Sequence, residues 1–175
     1  MAEKKDFNTT TVAEIFAIGI GECGSNLVAS YMANSATGKT SRIRDFMIMN
    51  TDRTDLTKTR ERYNLGKKQT LLYGNVDIGV GGKFFDGYRS VEDSRELILN
   101  QLSQLGAEGT NGFVIFTSLG GGTGCGGTPA LIKVLRERFE RDDNRRIFIY
   151  VVGVLPFADQ SSESVNTVWA LSTLL

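Results

Sequence analysis

Several stretches of this chain carry glycine where backbone must come close to another group. Residues 19–26 read Gly19-Ile20-Gly21-Glu22-Cys23-Gly24-Ser25-Asn26 and fit G-x-G-x-x-G between an apolar run and a helical pattern. Small residues at that spacing let main chain approach a phosphate at a helix N-terminus. The same turn equally suits a dinucleotide enzyme or a plain strand-to-helix bend. Residues 120–127 read Gly120-Gly121-Gly122-Thr123-Gly124-Cys125-Gly126-Gly127, six glycines in eight positions, again after an apolar run. A nest of this kind converges N–H donors on anionic oxygens, and Thr123 adds a hydroxyl at its centre. A third cluster, Gly79-Val80-Gly81-Gly82, is either a further cradle or ordinary loop glycine. Three such turns on one rim would hold a polyphosphate, and a dinucleotide needs only the first, so the residues favour a nucleoside triphosphate. Asn50-Thr51-Asp52 closes another apolar run. Asp52 there either meets a ribose hydroxyl or caps a short helix as an Asx turn.

Apolar runs and helical patterns alternate along the chain in a way that would position these turns. Residues 15–20, 46–49, 69–73, 113–116 and 147–152 read as strands, and the last is the longest β-branched and aromatic run, expected at the centre of a sheet. Residues 25–34, 90–105 and 129–139 read as helices, and another starts near Ser162. Ser90 is placed to cap the second, with Leu97, Ile98, Leu102 and Leu105 on its apolar face. Residues 53–68 are rich in charge and expected at the surface. Strand–helix alternation of this kind implies an α/β fold, a Rossmann-like three-layer sandwich with a mostly parallel sheet and helices on both faces. Ligands of such sheets lie beyond the carboxyl ends of the strands, which is where the glycines fall. Residues 1–11 are polar and read as a flexible tail, leaving 12–175 as one domain.

Composition removes several function classes. The 175 residues contain no histidine, which excludes Ser-His-Asp triads, histidine acid–base catalysis and histidine-ligated metals. Twenty basic and twenty acidic residues cancel, unlike the basic excess of a nucleic-acid-binding module. The two cysteines, Cys23 and Cys125, lie in glycine-rich turns and fit a reduced, cytoplasmic setting. No run approaches the roughly 20 apolar residues of a membrane span, so no direct membrane insertion is expected. Gly38-Lys39-Thr40 imitates the end of a Walker A motif, but position 33 is Ala33 and the segment follows a helical pattern. Asn50 to Asp55 fits N-x-D-x-x-D, a pattern expected here to form a turn.

The run Gly120-Gly121-Gly122-Thr123-Gly124-Cys125-Gly126 closely resembles the G-G-G-T-G-[ST]-G signature of the tubulin and FtsZ superfamily, which includes the archaeal CetZ proteins. The turn at Gly19 to Asn26, Asn50-Thr51-Asp52, the Gly79 to Gly82 cluster and Pro156-Phe157 follow in that family's order. The resemblance covers Ile15 onward and corresponds to the family's N-terminal, nucleotide-binding half. It implies GTP or GDP with Mg²⁺, the α- and β-phosphates near Gly21 and Gly122, and the γ-phosphate near Val80, Gly81 and Gly82. Glu163, three residues before Asn166, resembles the family's ribose-contacting glutamate. Cys125 stands where the signature has Ser or Thr. Glu22 would repel phosphates unless it points away or faces Mg²⁺. No arginine follows Pro156, unlike FtsZ proteins. The resemblance also implies self-association into protofilaments and hydrolysis at the subunit interface by an acidic loop further along the chain. The apolar turn at residues 170–175 reads as cut, so the chain alone is expected to be inactive, with no catalytic or metal-ligating residue assigned within it. Two other readings remain: a non-hydrolysing regulatory homologue, and an NAD-binding oxidoreductase domain using Gly19 to Gly24 and Asp52.

Overall fold

Alternation along the first two strands demands a cover on each face of the sheet. The computed structural model describes residues 14–35, 43–75, 77–140, 146–157, 159 and 161–175. The expected tail at 1–11 and the Gly38-Lys39-Thr40 segment lie outside the described residues. Strand β1 (Ile15–Ile20) turns Phe16, Ile18 and Ile20 to one core and Ala17 to another. Strand β2 (Ile43–Asn50) divides in the same way, Met47 and Met49 on one side and Phe46 and Ile48 on the other. Period-two burial on both faces is the pattern of a parallel sheet between helical layers.

The first core is closed by α3 (Phe84–Asp93), α4 (Arg95–Gln104) and α5 (Gly122–Phe139), through Val91, Ile98, Leu102, Leu131 and Val134. The second is closed by α1 (Gly21–Ser35) and α2 (Arg53–Arg62), through Val28 and Leu56. With β3 (Thr70–Leu72), β4 (Gly112–Ser118) and β5 (Phe148–Val154) the order is β3-β2-β1-β4-β5, and every pair is parallel. The chain leaves β1 in one direction to build β2 and β3, then returns to build β4 and β5 on the other side. A crevice therefore opens between β1 and β4 at their carboxyl ends. Helix α6 (Ser161–Leu174) packs beside α5, and Ala170 meets Phe84, Leu119 and Cys125.

Several local expectations are corrected or sharpened. The helix expected over 90–105 is two helices that meet at Ser94, whose hydroxyl accepts from Gly74 N at 2.9 Å. Ser90 is no cap: it lies inside α3 and donates to Asp86 O at 2.8 Å, and Leu97 is exposed. Residues 147–152 do not form a central strand. Among the described residues β5 pairs only with β4, and Phe148, Tyr150, Val152 and Val154 are exposed. The charged stretch after Asp52 contains α2, which Asp52 caps by accepting from Asp55 N at 3.0 Å. Finally, α5 begins at Gly122 rather than 129, so most of the second glycine run is helical and Pro129 lies within the helix. Its N–H is missing, which removes one bond of the helical ladder.

Candidate functional site

The glycines at the carboxyl ends of β1 and β4 do two different jobs. Some let backbones touch. A Cβ on Gly24 would stand 2.0 Å from Phe116 O, and one on Gly19 would stand 2.5 Å from Gly24 O, so β1, α1 and β4 meet there main chain to main chain. A Cβ on Gly126 would stand 1.9 Å from Phe84 O, where α3 crosses α5. Others shape a hollow. Gly21 has φ +74°, and Gly79, Gly81 and Gly82 have φ of +80°, +57° and +72°, a region that other residues adopt only with strain.

The hollow between these turns measures about 390 Å³. Gly21, Glu22 and Cys23 line it from the first turn, and Gly121, Gly122, Thr123 and Gly124 from the second. Val80, Gly81 and Gly82 face it from the third, Asn50 and Asp52 from the end of β2, and Glu163 from α6. Ile20, Asp55, Ile78, Gly79 and Ser118 line it as well. Ile78 and Ser118 carried no signal in the sequence, and Asp55 was expected only as the end of a turn pattern. Asp55 had a signal, because an Asx cap at Asp52 brings the residue three positions later onto the same helical turn.

Seven of the sequence candidates stand behind this lining. Gly19 and Gly24 make the backbone contacts described above. Asn26 donates to Glu22 O at 3.0 Å and accepts from Thr59 Oγ1 at 3.4 Å, which ties α1 to α2. Gly120 leaves room for Glu163, since a Cβ there would lie 2.5 Å from Glu163 Oε2 and 3.2 Å from Pro156 Cβ. Pro156 thus packs behind Gly120 rather than into the hollow. Cys125 is buried in the small core with Phe84, Leu119 and Ala170, and its thiol points to Gly122 O at 3.6 Å. A thiol in that place leaves the hollow to other donors.

Asn166 joins two of the turns. Its side-chain amide donates to Gly82 O at 2.7 Å and to Gly120 O at 2.8 Å. Gly79 N donates to Thr51 O at 3.1 Å, so the third turn is also tied to the second strand. Asn166→Ala should cost about 1–2 kcal/mol, the worth of two hydrogen bonds, and lower Tm by a few degrees. A melting curve coincident with wild type would show that the third turn is held otherwise.

Charge in the hollow is one-sided. Among the described residues Glu22, Asp52, Asp55 and Glu163 line it, and no Lys or Arg does. Against these carboxylates stand the N-terminal ends of α1 and α5, each with free N–H groups and a partial positive charge. A bare polyphosphate would meet repulsion from the acids and attraction from the amides. A divalent cation between acids and phosphates reconciles them. Among the described residues no three acidic or cysteine side chains form a metal cage.

The model of the tubulin/FtsZ family, GTPase domain, matches residues 14–175. The chain belongs to the tubulin/FtsZ family. It is 28% identical over 153 residues to the tubulin-like protein CetZ5 of Haloferax volcanii, covering 85% of this chain and 36% of that protein. Among solved structures it is similar to a GDP-bound monomer of CetZ1 from Haloferax volcanii, with a TM-score of 0.81, 24% identity, and 91% and 47% of the two chains covered. A GTPgS-bound protofilament of CetZ2 from the same organism gives a TM-score of 0.78 at 25% identity, covering 92% and 46%. The chain thus spans less than half the length of these relatives. Membership in the tubulin/FtsZ family removes the NAD-oxidoreductase reading of the first turn. Among the described residues no helix is long and apolar enough to cross a membrane.

Proposed function

We propose that this chain binds GTP or GDP with Mg²⁺ as the nucleotide domain of a cytoplasmic filament protein that hydrolyses GTP between subunits. The observation that carries the reading is the convergence of three glycine turns and two helix N-termini on one hollow. Its support from relatives is the GDP and GTPgS bound by two CetZ proteins of similar fold, one of them a protofilament.

In this reading Gly21 and the first turn of α5 offer N–H groups to the α- and β-phosphates, and Val80, Gly81 and Gly82 close over the γ-phosphate. Glu163 would face the ribose, with Asp52 and Glu22 left to hold Mg²⁺. The cation would neutralise the developing charge on the phosphates. Every other task of this chain is positional: amides hold the anion, the third turn excludes water from one side, and Asn166 keeps that turn in place. No side chain here is assigned to activate water, and the carboxylates for that step are proposed to come from an adjoining subunit. No nucleic acid or membrane is assigned as a partner.

Denaturing the purified full-length protein and identifying the released nucleotide by chromatography tests the binding. GDP or GTP is expected, and an NAD or empty result would overturn the reading. In the full-length protein, phosphate release should rise more steeply than protein concentration, because the catalytic unit is a pair. Nucleotide-dependent filaments without phosphate release would identify the non-hydrolysing homologue instead.

The cysteines offer a second check. Cys23 lines the hollow, and burial, then the neighbouring Glu22 carboxylate, raise its thiol above the ordinary value of 9.0. Burial pushes the Cys125 thiol up to about 12. Both raised values favour the neutral thiol in the folded chain. The stability linked to Cys125 is therefore complete below about pH 9 and lost as pH climbs toward 12. Native protein should label with maleimide slowly at Cys23 near pH 7 and faster as pH rises, with GDP slowing it, while Cys125 labels only on unfolding. Labelling of Cys23 at equal rates with and without GDP would place the nucleotide elsewhere.

A further inference from the structure

Thr51 directly follows β2 and is completely buried. Its hydroxyl lies 2.7 Å from the Thr123 hydroxyl, 72 positions away in sequence and in the first turn of α5. Its carbonyl accepts the Gly79 N–H from the third turn. Thr123 is half-buried and lines the hollow.

Two hydroxyls in contact share one proton between their oxygens and have one left over. If Thr123 donated to Thr51, the remaining proton would be that of Thr51, shut away from water. Among the described residues, Thr123 Oγ1 is the hydrogen-bond partner of the Thr51 hydroxyl, so that proton would have no acceptor. A buried donor without an acceptor is the costly member of any such pair. If Thr51 donates, the leftover proton belongs to Thr123, which faces the open hollow and finds water or a ligand there. Burial of one partner and exposure of the other therefore decide the direction of the bond.

We propose that Thr51 is a positioning residue: its buried hydroxyl donates to Thr123 and commits the Thr123 O–H to donate into the hollow, toward an acceptor-only group such as a nucleotide phosphate oxygen. This rests on the phosphate reading above. A hydroxyl that already accepts a hydrogen bond is a stronger donor, so the chain Thr51 to Thr123 to anion reinforces itself. Because Thr51 also takes the Gly79 N–H, one buried residue links the second and third turns to the donor that faces the ligand.

Four variants test this: Thr51→Val, Thr51→Ser, Thr123→Val and the double Thr51→Val/Thr123→Val. Each is titrated with GDP by calorimetry and melted without ligand. Thr51→Val should weaken GDP roughly three- to tenfold, and Thr51→Ser should bind within about twofold of wild type. Thr123→Val should weaken GDP about tenfold or more, because a donor to a charged group is gone. The double variant should bind like Thr123→Val alone, yet melt higher than it, since no buried hydroxyl is orphaned. Affinity that recovers together with melting temperature, or Thr51→Val binding as wild type, would overturn the proposal while leaving nucleotide binding intact. Wild type that takes up no GDP would instead overturn the phosphate reading, and this inference with it. Where Thr51→Val does not fold, Thr51→Ala removes the same hydroxyl and is read against Thr51→Ser.

Discussion

Gly24→Ala is expected to cost about 3–4 kcal/mol of stability, a large share of what a domain of this size possesses. The added Cβ would stand 2.0 Å from Phe116 O, 2.7 Å from Phe116 C and 3.2 Å from Thr117 Cα. All three are backbone atoms of β4, and none can rotate away as a side-chain tip would. Phe116 pairs with Gly19 of β1 in the sheet, so β4 cannot retreat without breaking that ladder. The alternative is for α1 to lift, which opens the second core around Val28 and withdraws Gly21 from its place at the hollow. Either way the crevice between β1 and β4 is lost. A fall in Tm of roughly 6–16 °C is expected, with GDP binding impaired in parallel. A variant that melts with wild type would mean that β1, α1 and β4 do not meet through bare backbone.

Much of the architecture was legible because burial leaves apolar runs for strands and an apolar period for helices in the sequence. The unbroken apolar run from Ile15 to Ile20 already implied a buried parallel strand with a cover on both sides, and the glycines beyond it implied a turn at the ligand edge. Less legible was anything decided by a distant partner. Two helices meet at Ser94, where Gly74 N, twenty positions earlier, donates to the serine hydroxyl. The composition of β5 is that of a central strand, yet its place in the sheet depends on what pairs with it. Helix α2 was hidden by charge, with only Leu56 and Thr59 buried among its ten residues. Its cap at Asp52 was visible as one of two readings, and the structure shows the cap together with a place in the lining.

The glycine run at 120–127 shows the limit most clearly. Glycine is required both where a ligand approaches backbone and where backbone approaches backbone, and the two demands look identical in one dimension. Gly126 and Gly24 serve packing, whereas Gly121 and Gly21 border the hollow. Thr123 was expected to offer its hydroxyl at the centre of the run. It stands there, but the buried Thr51 hydroxyl beside it could only be found once β2 and α5 were brought together.

Gly121→Val separates these two demands and should abolish nucleotide binding without harming the fold. Gly121 caps α5 with φ −77° and ψ 174°, extended backbone that valine adopts readily. A Cβ there meets nothing within 4 Å, and the residue borders the hollow, so the new methyl groups occupy ligand space rather than protein. Tm should stay within about 2 °C of wild type, in line with substitutions that create no clash. GDP affinity should fall at least a hundredfold, or about 2.8 kcal/mol, from steric exclusion at the N-terminus of α5. Gly122→Val is the instructive neighbour. Its Cβ would lie 2.6 Å from Lys83 N, 2.7 Å from Val80 Cγ2 and 2.8 Å from Gly82 C. That side chain drives the third turn off α5, so stability and binding should fall together. One residue of displacement along the same run thus changes which property is lost. Equal GDP affinity in wild type and Gly121→Val would remove the anion from the helix end, and a collapse of Tm in Gly121→Val would show that its Cβ meets protein after all.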